Sequence, residues 1–404
     1  MRRSFGLVAA ALFIAGFTIP AQAQSQTGFQ RWVADFWPSA RAAGISRSTY
    51  ERGFAGVRLD PAVLEKARYQ PEFVRPLWDY VDSAVSEKRL ENGKAKLHQY
   101  RVLLDALERS YGVDRHILVA IWGMESSYGE VLDNPKIVKS VIQSLATLAY
   151  ADRRRARFGR QQLLAALKIL QRGDVSPPGL TGSWAGAMGH TQFIPTTYIA
   201  YAVDFDGDGR RNIWTSPADA LASAAHYLKK SGWVGGKTWG YEVMLPRRFN
   251  FQLADGDTTL SLGEWQKLGI RRTGGRSFPR PGDRAELLLP SGANGPAFLL
   301  LRNHFVIKRY NNATSYALAI GHLADRLRGG GAFTQAWPRS ERPLSEAELR
   351  ELQGQLARTG HYKGSIDGKI GPMSRAAIRA YQARTGLAAD GYAGAMLLNR
   401  LRGS

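Results

Sequence analysis

The 404-residue sequence contains no cysteine. That absence excludes disulfides, a thiol nucleophile, thiolate zinc sites and a lipid-modified cysteine, so an exported fold of this chain must rest on core packing. Histidine is scarce as well. The seven histidines stand at positions 98, 116, 190, 226, 304, 322 and 361. None pairs with another at a helical metal-binding spacing near a carboxylate, which argues against a catalytic zinc. Beyond the N-terminus no stretch approaches the roughly 18 uninterrupted apolar residues that suggest a membrane span. Acidic residues are in deficit: 34 Asp plus Glu stand against 55 Lys plus Arg, a formal net charge of +21. Such a charge favours a polyanionic partner.

The first residues have a logic of their own. Arg2 and Arg3 precede an apolar run from Phe5 to Ile19, and Ala21-Gln22-Ala23 supplies the small-x-small pattern that a signal peptidase reads. Residues 1–23 are therefore expected to be a signal peptide, leaving +19 on the mature chain; an uncleaved membrane anchor is the alternative. Export argues against nucleic acid as the polyanion and favours anionic wall polymers or lipid head groups.

From Phe29 to about Leu170 the pattern is helical, with Asp114 as an N-cap for the run His116 to Trp122 and a further helix from Gly159 to Leu170. Gly and aromatic residues dominate from Gly182 to Tyr201, and a helix follows from about Pro217 to Lys230. Between Gly240 and Phe305 the character changes to strand. The runs Ala285–Leu289 and Ala297–Leu301, joined by Ser291-Gly292-Ala293-Asn294-Gly295, carry a hairpin signal. Helix returns from Ser315 to Arg328. Gly329 to Gly331 and Trp337 to Pro343 read as a linker. Beyond it, three short helices are expected at about 345–358, 372–385 and 394–402.

Two segments carry chemistry. In Trp122-Gly123-Met124-Glu125-Ser126-Ser127-Tyr128-Gly129, Glu125 shares a helix face with Ile121 and Trp122. A carboxyl held on an apolar surface resists ionising, as a general acid near neutral pH requires; a solvated glutamate at a helix end is the plain alternative. In Gly182-Ser183-Trp184-Ala185-Gly186-Ala187-Met188-Gly189-His190-Thr191-Gln192-Phe193-Ile194-Pro195, small residues permit close backbone approach, and Gln192 offers both donor and acceptor. A tight helix contact built on Gly and Ala is the alternative there.

Together, E-S-x-x-G and A-G-A-M-G-x-x-Q-F-x-P resemble the membrane-bound lytic transglycosylase B family. The similarity continues through Asp204 to Trp214, His226-Tyr227-Leu228 and Lys308 to Tyr316. It implies an α+β, mainly α fold: a lysozyme-like helical catalytic core, residues 24–335, with a small β subdomain. It implies cleavage of the β-1,4 bond between N-acetylmuramic acid and N-acetylglucosamine, with Glu125 as the single acid/base and a 1,6-anhydromuramoyl product. A hydrolytic muramidase and a non-catalytic wall-binding protein are the other readings. Residues matching the family's substrate contacts are Tyr80, Ser183, Gln192, Phe193, Tyr227, Tyr310, Asn311 and Tyr316; Arg153 and Arg154 are candidates for stem-peptide carboxylates or a solvated basic face. The resemblance calls for no cofactor in catalysis, and for peptidoglycan strands and cell-wall synthesis or remodelling proteins as partners in the periplasm.

Asp204-Phe205-Asp206-Gly207-Asp208-Gly209-Arg210 reproduces the start of an EF-hand loop, but position 12 is Thr215 rather than glutamate. In the resembling family a later aspartate completes the site. A structural Ca²⁺ is thus expected on Asp204, Asp206, Asp208, the Arg210 carbonyl and Asp219. Finally, Gly360 to Pro372 and Ala377 to Gln382 resemble the three-helix peptidoglycan-binding module, assigned to 345–404 after a linker at 336–344. Its Asp367-Gly368 turn is echoed by Asp390-Gly391.

Overall fold

Polar caps open the helices where apolar periodicity begins. Asp114 accepts from His116 N at 2.8 Å and starts the helix Arg115–Ser126, most of whose residues are buried. Ser140 and Ser216 cap Val141–Ala151 and Pro217–Lys230, and Ser345 forms a capping box with Glu348 at the head of Glu346–Arg358. The structure, a computed structural model, describes residues 25–68 and 76–403. The expected signal peptide lies outside the described residues.

The architecture is α+β and mainly α, as expected. Arg115–Ser126 packs against Thr314–Leu327 in one core, together with Leu90, Leu104 and Leu107. A second core joins Gln26–Ala42, Val141–Ala151 and Ala156–Arg172. Each fully buried leucine or isoleucine in these seams contributes roughly 1.5–3 kcal/mol, so the helix that carries Glu125 is held firmly. No helix of the described residues is long and apolar enough to cross a membrane.

The β subdomain is one antiparallel sheet in the spatial order Thr259–Ser261, Arg284–Leu288, Ala297–Leu300, Gly240–Met244 and Arg271–Arg272. The expected hairpin forms, with Leu287 opposite Leu299. The strand interval ends earlier than the sequence suggested: Arg302–Tyr310 is helical, buries Val306 and Ile307, and places Lys308 and Arg309 in its last turn, where cations suit the helix dipole.

The chain is strapped down between the two stretches expected as linker, and within the second at Trp337. Phe333 stacks on His322 with ring centroids 3.7 Å apart, and Trp337 packs against Trp78 and Phe298. The Glu242 carboxylate accepts from Thr334 N at 2.9 Å and Gln335 N at 2.8 Å. Three helices follow, Glu346–Arg358, Pro372–Arg384 and Ala395–Arg402, around a small core of Leu352, Leu356, Ile378, Tyr381 and Leu398.

Candidate active site

Glu125 sits one residue from the end of its helix, and the chain there turns sharply. Ser127 and Tyr128 take left-handed conformations, with φ of 50° and 61°, before Gly129 at φ 94°. Gly129 is required twice over: its φ disfavours any side chain, and an added Cβ would meet the His190 ring at 2.5 Å. Tyr128 folds back under the helix and donates to Arg89 O at 2.8 Å. Its ring lies so close to Gly93 and Gly123 that neither has room for a side chain.

This turn is clasped to the glycine-rich segment. Ser126 Oγ donates to His190 O at 2.7 Å and accepts from Gly129 N at 3.1 Å, while Trp122 Nε1 donates to His190 Nδ1 at 3.0 Å. The imidazole must therefore be unprotonated at Nδ1. Burial, aided by Lys96, pulls its pKa down to about 4. The glycine-rich segment itself is not a helix; Met188 bridges both Gly182 and Phe193 in a compact set of turns. Gly189, at φ 66°, presses against Ile213 O, so no side chain fits there. Neither Trp122 nor His190 was singled out from the sequence, and the only available signal was their place inside the two motifs.

The carboxyl of Glu125 is pushed up to about 7 by burial, against the lowering effect of the Tyr316 hydroxyl, which donates to Oε1 at 2.6 Å. Burial, with the charge of Glu125 added, raises the phenols of Tyr80, Tyr310 and Tyr316. Three of the sequence candidates thus surround one acid. Tyr310 is fixed by donating to Thr191 O at 2.6 Å, which ties this ring of tyrosines to the residue before Gln192. Gln192 has φ 50° and donates from Nε2 to Gly189 O at 2.8 Å. Phe193 is only 2% exposed; its ring forms a floor with Tyr227 and Tyr310, centroids 5.9 and 5.8 Å away. Tyr227 donates to Arg309 O at 2.5 Å. Ser183 Oγ accepts from Ala185 N and Ala187 N, leaving its own proton to donate outward. Asn311 is exposed at the end of the Arg302–Tyr310 helix. Arg153 and Arg154 lie on a cavity of about 420 Å³ shared with Arg68 and Arg155.

The acidic loop converges in part. Carboxylate oxygens of Asp204, Asp206 and Asp219 all lie within 4.8 Å of one another. Asp219 is fully buried at the start of the Pro217–Lys230 helix and accepts from Phe205 N at 2.8 Å and Asn212 N at 2.7 Å. Burial raises its carboxyl, and the charge of Asp206 adds to this. Three crowded carboxylates form an all-oxygen donor set of the kind a hard cation takes. Asp208 stands outside that cluster, with Oδ1 accepting from Arg210 N at 2.8 Å.

Residues 28–325 match the transglycosylase SLT domain family. The chain belongs to that family. Residues 345–401 match the putative peptidoglycan binding domain. Membrane-bound lytic murein transglycosylase B of Escherichia coli (strain K12) is 33% identical over 261 residues, covering 63% of this chain and 65% of that protein. The match thus spans just under two thirds of that relative. The crystal structure of SltB3 from Pseudomonas aeruginosa in complex with NAG-anhNAM-pentapeptide is 52% identical, covers 93% of this chain and 99% of that chain, and has a TM-score of 0.88. The lytic transglycosylase Slt35 of Escherichia coli in complex with calcium is 29% identical over 75% of this chain and 93% of that one, with a TM-score of 0.60. The lysozyme-like core, small sheet and C-terminal helical module are the architecture of this family with a binding module appended.

Proposed function

We propose that this chain is a lytic transglycosylase that cleaves the β-1,4 bond between N-acetylmuramic acid and N-acetylglucosamine in peptidoglycan, leaving 1,6-anhydromuramoyl ends. The observation that carries this reading is the setting of Glu125, a half-buried carboxyl that accepts from the Tyr316 hydroxyl at 2.6 Å among Tyr80 and Tyr310, with its pKa pushed up to about 7. Such a group still holds its proton near neutral pH and can deliver it to a glycosidic oxygen.

As the C1–O4 bond breaks, the proton passes from Glu125 to O4 and positive charge develops at C1 of the muramoyl ring. The substrate's own N-acetyl oxygen stabilises that centre. Glu125, now a carboxylate with the Tyr316 hydroxyl on Oε1, takes the proton of the C6 hydroxyl while O6 bonds to C1. No water is consumed, and Glu125 ends as it began. One carboxylate serves both halves, unlike the paired arrangement of most glycosidases. A relative crystallised with an anhNAM-containing ligand supports the same product here.

In this reading Tyr80, Ser183, Gln192, Tyr227, Tyr310, Asn311 and Tyr316 line the sugar groove over Phe193. A structural Ca²⁺ is held by Asp204, Asp206, Asp219 and the Arg210 carbonyl. The calcium complex of Slt35 supports that assignment. The protein works in the periplasm, exported by residues 1–23, and the C-terminal module concentrates the enzyme on its insoluble polymer.

The test is solubilisation of purified sacculi. Glu125→Gln keeps the shape and removes the transferable proton, so the rate should fall roughly 10²–10⁴-fold. Equal rates for the two proteins would remove Glu125 from the chemistry.

A further inference from the structure

A cavity of about 350 Å³ lies where the C-terminal module meets the sheet. One wall is the turn after strand Arg284–Leu288, which carries Ser291 and Ala293; the other is the module's stretch from Leu387 to Leu397. The walls are pinned together. Ala293 N donates to Asp390 Oδ2 at 2.8 Å, while Asp390 Oδ1 accepts from Gln382 Nε2 at 2.7 Å and Tyr392 N at 2.9 Å. Neither unit encloses the cavity alone.

Its polar edge is under-satisfied. Ser291 is 2% exposed, and its hydroxyl has no hydrogen-bond partner. Glu341 is 8% exposed, and its carboxylate receives a single long hydrogen bond, from Met396 N at 3.4 Å. Buried polar atoms are rarely left so, and each such orphan in a cavity points to a missing partner. Across from them lie Leu387, Ala388 and Met396, the last 62% exposed, with Arg400 also on the lining. An apolar face opposite a few polar groups, here one unpaired hydroxyl and one weakly bonded carboxylate, is the usual make-up of a small-ligand site, and the volume is in the ordinary range for one.

We propose that this cavity is a binding subsite for an N-acetylhexosamine of the glycan strand, its acetamido group meeting Ser291 and Glu341 and its methyl and ring face lying on Leu387, Ala388 and Met396. The assignment rests on peptidoglycan being the substrate. Arg400 on the lining offsets one of the two carboxylates, Glu341 and Asp390, which leaves an edge of little net charge suited to an uncharged sugar. A strand held here is presented to the catalytic groove at raised local concentration, and it also fixes the module against the sheet.

Methionine methyl NMR on the full chain carrying Glu125→Gln, which prevents turnover, tests this with a tetramer of β-1,4-linked N-acetylglucosamine as probe. Met396 reports on the cavity and Met124, beside Glu125, on the groove. The tetramer should shift the Met396 methyl saturably. Ala388→Trp, at an exposed position that tolerates the bulk, should weaken that response by roughly tenfold or more while the Met124 response is kept. A Met396 methyl that stays still, one that responds equally in Ala388→Trp, or one moved instead by a stem tetrapeptide would each overturn the subsite. Loss of the Met124 response is a separate result, and it counts against the groove reading.

Discussion

The Tyr316 hydroxyl donates to Glu125 Oε1 at 2.6 Å across 191 positions of sequence. The bond favours the ionised carboxylate and works against burial, which favours the acid. Their balance leaves the group at about 7, poised to give a proton and then take one.

Removing that hydroxyl should tip the balance. In Tyr316→Phe the Glu125 pKa rises further, and the descending limb of the pH–rate profile, set by loss of the acid, moves to higher pH. Because the carboxylate formed in the first step loses its donor, kcat should fall roughly tenfold, the scale of a hydrogen bond to a charged group. A limb that stays in place or moves down would contradict this assignment of the bond.

The same shift makes a prediction about stability. The folded pKa of Glu125, about 7, lies above the ordinary 4.5. Its contribution to stability is therefore fully present below the ordinary value and is lost as pH rises through the folded one. Glu125→Gln carries no such dependence, so its melting temperature should match wild type at acid pH and exceed it above about pH 7. Melting curves at the two extremes decide it.

His190 behaves in the opposite sense. Its folded pKa, about 4, lies below the ordinary 6.5, so its contribution is complete above the ordinary value and is lost as pH falls toward the folded one. His190→Phe leaves the buried Trp122 indole without an acceptor and should cost about 1–3 kcal/mol at neutral pH. It should also lower kcat, because the clasp sets Glu125 against the Gln192 segment. An unchanged melting temperature together with unchanged kcat removes the clasp from the account.

Chelation tests the acidic loop. Treatment with a calcium chelator should lower the melting temperature, and added Ca²⁺ should restore it. In Asp204→Asn both effects should shrink, since two of the three carboxylates remain to hold the ion. A wild-type melting temperature indifferent to chelator and calcium alike retires the site.

Much of this was legible in the sequence, for physical reasons that also explain what was not. Glu125 and Gln192 stand out because the chemistry needs particular residue types at fixed local spacing. The cap at Asp114, the Arg284–Leu288 hairpin and the C-terminal helices follow from short-range pattern. The pairing of Trp122 with His190 spans 68 positions, and only packing brings them together. Composition around Gly329 to Gly331 and Trp337 to Pro343 read as a linker, and it gave no sign that Phe333 and Trp337 pack on Phe298 of the sheet. Phe193 read as a sugar contact from its motif alone; that its ring is 2% exposed and lies against Tyr227 and Tyr310 is settled only by packing.

The central claim is that one carboxyl both donates and recovers the proton, with the substrate's own C6 hydroxyl taking the place of water. Mass spectrometry of sacculi digested in heavy-oxygen water addresses it directly. The account predicts muropeptides with anhydromuramoyl ends and no heavy oxygen incorporated. Reducing muramoyl ends carrying the label would contradict it.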